Sequence, residues 1–156
     1  MTSLRAMLCV FMIGLLPANA PESAQRNKVE IGVFNKKFSD LIAKQDHVGM
    51  LALWAEDGVD LMPGLAPLVG KGAITAWLEQ IRSAARDSRV IREDLQFHEI
   101  QVSADWASEW ATEHQTLQIP GKPPNQSFGK LALVLHRSAL GQWRIKQEMW
   151  NDSPHF

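Results

Sequence analysis

The segment 105–118 carries the side chains best suited to proton-transfer chemistry. Glu109 and Glu113 stand four residues apart, and His114 follows directly. A histidine with a pKa near neutrality is a natural general base, and a carboxylate can take the same role. We therefore treat His114, Glu109 and Glu113 as candidate catalytic bases. The alternative is that each of them is only structural.

Alternation along a strand places His114 on one face of this segment and both glutamates on the other. The histidine face also carries Trp110, and tryptophan-rich faces bury well. The opposite face carries Ala107 and Ala111, and small side chains let a helix pack closely on a sheet. We expect the alanine face to contact the helices near the start of the strand. The choice between Glu113 and His114 at a site stays open.

The last two predicted strands, 128–137 and 142–151, offer further polar groups. Their more apolar face is expected to point inward, which would make Gln147 and Asn151 ligand-orienting groups in an apolar pocket. For Asn151 the alternative is a hydrogen bond to neighbouring backbone. Glu148 is expected to point outward, in a surface ion pair. The inward set is Leu131, Leu133, Leu135, Trp143, Ile145, Gln147, Met149 and Asn151.

Glu56 and Asp57 form a second acidic group, within LWAEDGVDLMPG at 53–64. Paired carboxylates suggest catalysis, but this pair stands where a helix is predicted to end and a strand to begin. Short polar side chains at such junctions bond to free backbone amides, so we favour a structural role. Asp60 alternates away from its apolar neighbours and is expected to face water.

No metal or cofactor site is predicted. The five histidines are scattered without a His-x-x-x-His spacing, and Cys9 is the only cysteine. There is no nucleophile elbow, phosphate loop or dinucleotide fingerprint. Trp54, Trp77 and Trp110 could line a pocket for a flat apolar ligand, or could belong to the core.

The first twenty residues predict a signal peptide, because Arg5 precedes an apolar run that ends in Ala18-Asn19-Ala20. Cleavage could fall as late as Ala24. We therefore expect an extracytoplasmic protein, either periplasmic or secreted, with no membrane contact after cleavage. A formal net charge of −1 without a basic cluster argues against nucleic acid as a partner.

The full chain has 156 residues, and the part after this segment is long enough for one domain. We predict that domain over 28–153, after a flexible tether at 21–27. Apolar residues at helical spacing begin near Lys28, Asp46 is a plausible N-cap of a short second helix, and a third helix begins near Lys71. Long strands follow at about 90–102, 105–118, 128–137 and 142–151. Helices followed by an antiparallel sheet predict an α+β fold.

In the strand 90–102 the apolar face changes parity. It passes from Leu95 and Phe97 to Ile100 and Val102. We predict a β-bulge near His98-Glu99, because one extra residue both restores the face and bends the sheet.

Two stretches resemble the nuclear transport factor 2-like superfamily, and within it the ketosteroid-isomerase-like, SnoaL-like group. They are DHVGMLALWAEDGVDLMPGLAPLVGKGAI and GKLALVLHRSALGQWRIKQEMWNDS, and the resemblance covers about 31–153. It implies a cone, in which a strongly curved antiparallel sheet wraps the N-terminal helices and leaves an apolar pocket open at one end. It also implies a homodimer formed through the convex face of the sheet.

The resemblance does not carry over isomerase chemistry. The proton-shuttling aspartate of ketosteroid isomerases stands just before the proline of the bend, and in this chain that position is Met62, before Pro63. Those enzymes also use a tyrosine as an oxyanion donor, and this sequence has no tyrosine. Methionine cannot accept a proton, so ketosteroid isomerisation is not expected.

The expected function is binding of a small apolar or aromatic molecule by an exported pocket protein. One alternative is a SnoaL-like enzyme, of isomerase, cyclase or dehydratase type, with a histidine or glutamate base. Another is a dimerisation module whose cone is filled by its own tryptophans. The pocket is expected to include Trp54, Met62, Trp77, Trp110, Gln147, Met149 and Asn151.

Overall fold

The computed structural model describes residues 20–154, which form helices on one side of a single mixed sheet. The predicted signal peptide, up to residue 19, lies outside the described residues. In the described part, no helix is long and apolar enough to cross a membrane. The elements are α1 (Ala20–Ala43), α2 (His47–Leu51), β1 (Trp54–Leu61), β2 (Leu68–Val69), α3 (Lys71–Ala84), β3 (Arg89–Ser103), β4 (Trp106–Gln118), β5 (Asn125–Arg137) and β6 (Trp143–Asp152).

The sheet has the strand order β2-β1-β6-β5-β4-β3. Neighbouring strands are antiparallel, except that β1 pairs with β6 in parallel. The predicted α+β class and the curved sheet with N-terminal helices are confirmed. The bulge predicted near His98-Glu99 is present, because the β3–β4 register shifts between His98 and Gln101 and Glu99 has a φ of 45°.

Helix α1 packs on the concave face of the sheet through one apolar stripe. Ile31, Phe34 and Phe38 are buried, and the Phe38 ring meets Phe97 of β3 edge-on, with 6.2 Å between centroids. The helix begins at Ala20, so the predicted tether at 21–27 is helical instead. Asn27 anchors this first part of the helix, because its side-chain amide donates to the carbonyl of Ala104.

Helix α2 begins as predicted. The Asp46 carboxylate accepts a hydrogen bond from the Gly49 amide, which satisfies one of the free N–H groups at the start of the helix. The strand after it starts earlier than predicted, at Trp54, so Glu56 and Asp57 lie within β1 rather than at a junction. Both acids are exposed there, and they pair with Lys71 and Lys146 respectively. The structure therefore shows surface ion pairs for these two acids in place of the predicted junction.

Candidate ligand cavity

A cavity of about 350 Å³ lies between the helices and the concave face of the sheet. Its walls are mostly apolar, with Phe38 and Leu41 from α1, Trp77 and Leu78 from α3, and Leu131 from β5. His47 and Asp46 lie in its lining where α2 begins. A cone filled by its own tryptophans does not describe this protein.

Carboxyl groups from two strands line the cavity opposite these apolar walls. Glu113 of β4 and Glu148 of β6 both belong to its lining. The indole Nε1 of Trp150 donates a hydrogen bond of 2.8 Å to Glu113 Oε2, which holds that carboxylate in place. The Trp150 ring lies against Gly129, where a Cβ atom would come within 2.5 Å of Nε1. Glycine at 129 is therefore required for this indole position.

Two further carboxyl groups stand beside this pair. Glu93 of β3 accepts a 2.9 Å hydrogen bond from Gln115 Nε2, and Asp60 of β1 is in register with Glu148. Asp60 is only 1% exposed, so the prediction that it faces water is wrong. By alternation it points to the same side as Met62, which follows β1 and lines the cavity, and α3 packs against β1.

Burial raises the pKa of several of these acids. The pKa of Asp60 rises to about 6 through burial, although the Leu61 backbone amide opposes the shift. Burial, and then the charge of Glu113, raise the pKa of Glu93 to about 7. The pKa of Glu148 lies well above its ordinary value, because of burial first and then the charges of Asp60 and Glu113. Asp60 and Glu93, beside the cavity, therefore titrate closer to neutral pH than exposed carboxyl groups do.

The face assignment of β6 from the sequence is wrong beyond Ile145. The β5–β6 register shifts by one residue at Lys146, so that Leu135 pairs with Ile145 but Val134 with Gln147. The bulge turns Glu148 and Trp150 inward. Gln147, Met149 and Asn151 consequently lie on the outer face, with 46% of Met149 exposed.

Other predicted site residues are also separate from the cavity. Trp54 is 3% exposed and packs in the core, at the edge of a different surface depression. Trp110 lies on the outer face and stacks on His98, with ring centroids 4.1 Å apart. Of the predicted pocket residues, Met62 and Trp77 line the cavity.

The structure separates the three candidate bases. The alanine face of β4 points inward, as expected, since Ala107 and Ala111 are buried under α1. This puts Glu113 in the cavity and His114 on the outer face, where it stacks on Phe128 at 4.2 Å between centroids. Glu109 points inward but lies beneath α1, outside the cavity lining, and accepts a 2.7 Å hydrogen bond from Asn35 Nδ2.

Sequence reasoning missed Glu148, Trp150, Asp60 and Glu93 as neighbours of one cavity. One signal was present in the sequence. Met149 and Trp150 are adjacent and both apolar, so either of them could point inward, and the inward face after Ile145 could change as it does within β3. The burial of Asp60 and Glu93 has no such signal. Within the described residues, no group of three or more histidine, cysteine, aspartate or glutamate side chains is arranged to hold a metal ion.

In this structure a curved sheet wraps the helices and leaves an apolar cavity. This arrangement defines the nuclear transport factor 2-like, ketosteroid-isomerase-like class of folds. The family profile of the SnoaL-like domain matches residues 31–149, and the chain belongs to that family. No curated protein sequence matches it significantly.

Solved structures show the same fold. A ketosteroid isomerase-like protein from Erwinia carotovora atroseptica has a TM-score of 0.69 at 21% identity, covering 81% of this chain and 96% of that one. ActVI-ORFA from Streptomyces coelicolor has a TM-score of 0.66 at 20% identity, covering 82% and 98%. A putative scytalone dehydratase from Novosphingobium aromaticivorans has a TM-score of 0.68 at 16% identity, covering 83% and 86%. At these identities the likeness concerns the fold alone.

Proposed function

We propose that this SnoaL-like protein binds a small, largely apolar molecule in the cavity between the helices and the sheet. The observation that carries the proposal is the cavity itself, about 350 Å³ with mostly apolar walls and a few polar groups. Ligand sites of proteins have this size and this distribution of polar groups. The signal-peptide pattern of residues 1–20 supports a further proposal, that binding takes place outside the cytoplasm.

Native mass spectrometry tests the proposal on protein purified from the extracytoplasmic fraction of its own host. We expect a co-purifying small molecule in stoichiometric amount, and a chain that begins after the predicted signal peptide. A chain that is absent from this fraction, or that retains residues 1–20, would contradict the proposed export.

A cavity-filling variant shows whether binding takes place in this cavity. Leu78 lines it, so Leu78→Trp should exclude a naphthalene-sized ligand such as 1-naphthylmethanol and weaken its affinity at least about tenfold. Leu140→Trp is the matched control, because Leu140 is 86% exposed in the β5–β6 turn. Isothermal titration calorimetry measures both variants. Equal affinities in the two variants, or no binding by the wild type, would contradict a ligand site here.

Proton transfer on the bound molecule is a second candidate function, and one observation favours it. Glu113 and Glu148 both line the cavity, and burial raises the pKa of Glu148, so two carboxyl groups with different proton affinities face a bound molecule. Incubating the native ligand with the protein, followed by mass spectrometry and by deuterium exchange into the ligand, tests this candidate. An unchanged ligand without exchange would leave binding alone.

We also propose a homodimer formed through the outer face of the sheet. Trp106 and Trp110 on β4 and Met149 on β6 are 44–46% exposed there, which leaves apolar surface that a second copy would cover. Trp110→Lys should therefore yield monomers in analytical ultracentrifugation, whereas Leu140→Lys, far out in a turn, should leave the dimer intact. A wild-type protein that sediments as a monomer at micromolar concentration would refute the dimer.

A further inference from the structure

The carboxyl end of the cavity has more hydrogen-bond acceptors than donors. Two donors there are already used, since Trp150 Nε1 donates to Glu113 and Gln115 Nε2 donates to Glu93. Two carboxylate oxygens, Asp60 Oδ1 and Glu93 Oε1, are buried and have no hydrogen-bond partner among the described residues. Buried polar atoms in proteins are normally hydrogen-bonded, and since neither Asp60 nor Glu93 lines the cavity, these two oxygens mark a surplus of acceptors directly beside it.

Asp60 is the most informative of these groups, because it is 1% exposed and still has a free oxygen. It is the register partner of Glu148 and its charge helps to raise the Glu148 pKa, so it lies directly behind the part of the lining that Glu148 forms, without lining the cavity itself. An aspartate buried in this way is unfavourable unless protonated or met by a donor.

The charges around this end have one sign. Four strands each contribute a carboxyl group, two in the lining and two beside it, and among the residues that the structure describes no lysine or arginine lines the cavity. The cavity-lining residues of α1, α3 and β5 are uncharged, whereas α2 contributes His47, next to its cap Asp46. Burial first, and then the charge of Arg82 outside the lining, lower the pKa of the His47 imidazole. The carboxyl groups are Asp60 on β1, Glu93 on β3, Glu113 on β4 and Glu148 on β6.

We propose that the ligand is a hydrophobic amine, whose apolar part fills the cavity and whose protonated nitrogen lies between Glu113 and Glu148. This rests on the proposed function and names the chemical class of its ligand. An ammonium group has three N–H donors and a positive charge, so it can donate to Glu113 and Glu148 and balance the negative charge of the acids in and behind this wall. A carboxylate ligand would add negative charge where the lining and its neighbours already carry it.

The proposed ammonium competes with protons at the buried acids around it, by contact at Glu148 and by its charge at Asp60 and Glu93, which lie beside Glu148 and Glu113. Binding of a cation favours their ionised forms, so protons are released on binding. Since the pKa values of Asp60 and Glu93 are raised to about 6 and about 7, affinity for an amine should increase as the pH rises through this range. An uncharged ligand of the same shape should lack this dependence.

A matched pair of probes tests the inference, 1-naphthylmethylamine against 1-naphthylmethanol. We expect the amine to bind at least about tenfold more tightly than the alcohol at pH 8, and the difference to shrink to less than about threefold at pH 5. Calorimetry in two buffers of different ionisation enthalpy should show proton release for the amine near pH 6.5. Glu148→Gln should remove most of the preference, whereas Glu79→Gln, on the exposed side of α3, should keep it.

The outcomes separate this inference from the proposed function. If the alcohol binds as tightly as the amine, or more tightly, the amine proposal is overturned and the ligand cavity stands. If neither probe binds, the proposed function fails as well. Circular dichroism checks that Glu148→Gln is folded, and Glu113→Gln replaces it if it is not. A preference that survives in both folded variants would also overturn the proposal.

Discussion

Glu109→Gln is expected to make the protein more stable than the wild type above pH 7. Glu109 is 5% exposed beneath α1, and burial raises its pKa from 4.5 to about 7, although the Asn35 hydrogen bond opposes the shift. Asn35 Nδ2 donates to Oε2, while Glu109 Oε1 and Asn35 Oδ1 have no partner among the described residues. A glutamine amide can donate to Asn35 Oδ1 without titrating.

The sign of the pH dependence follows from linkage. Because the pKa is raised on folding, the folded protein binds this proton more tightly than the unfolded chain does. That contribution is fully present below about pH 4.5 and is lost as the pH rises through 7, at a total of about 3 kcal/mol. Asp60, Glu93 and Glu148 shift in the same direction, so only the difference between wild type and variant isolates Glu109.

Urea unfolding of both proteins at pH 5 and pH 8 measures this difference. The variant should gain about 2–3 kcal/mol relative to the wild type between these pH values. Glu79→Gln, which removes an exposed carboxylate, should change the pH dependence little. Parallel curves for wild type and Glu109→Gln would mean that the carboxyl group is hydrated or otherwise paired in solution.

Phe38→Ala is expected to produce a large loss of stability. Phe38 is 1% exposed and contacts Phe34 on its own helix and Phe97 on β3, so it joins α1 to the sheet. Replacing a buried phenylalanine by alanine removes its transfer free energy and leaves a cavity, at a cost of about 3–5 kcal/mol. Domains of this size are stable by about 5–15 kcal/mol, so the variant should still fold.

Val33→Ala is the control, because Val33 lies on the same helix and is 68% exposed. It should change the free energy of unfolding by less than about 0.5 kcal/mol. Phe38 also lines the ligand cavity, so an apolar ligand that fills the added space should restore part of the stability of Phe38→Ala. A loss below about 1 kcal/mol would contradict the described packing of α1 on β3.

Local patterns sufficed for most elements of the fold. The spacing of Ile31, Phe34 and Phe38 predicted the buried stripe of α1, and the change of parity after Phe97 predicted the bulge in β3. The Asp46 cap predicted the start of α2. These signals work because a helix period, a strand period or a cap involves residues only a few positions apart.

The β6 bulge shows where such patterns end. Met149 and Trp150 are both apolar, so alternation alone cannot say which one points inward. The answer depends on pairing with β5 and β1, which places the extra residue at Lys146, beside Asp57. A one-residue shift moves every later side chain of a strand to the other face. In β6 it puts Glu148 and Trp150 on the inner face, and it puts Gln147, Met149 and Asn151 on the outer face.

The sequence by itself determined that this chain forms an α+β cone of the SnoaL-like family and that Met62 stands where ketosteroid isomerases carry their catalytic acid. Only the tertiary structure decided which polar groups line or adjoin the cavity. Glu113 and Glu148 line it, with Asp60 and Glu93 beside them, and strand register and bulges bring these four strands' acids together across almost ninety positions of the chain. The raised pKa values of Asp60, Glu93 and Glu148 arise from burial under elements distant in sequence, because desolvation depends on the folded surroundings and not on neighbouring residues.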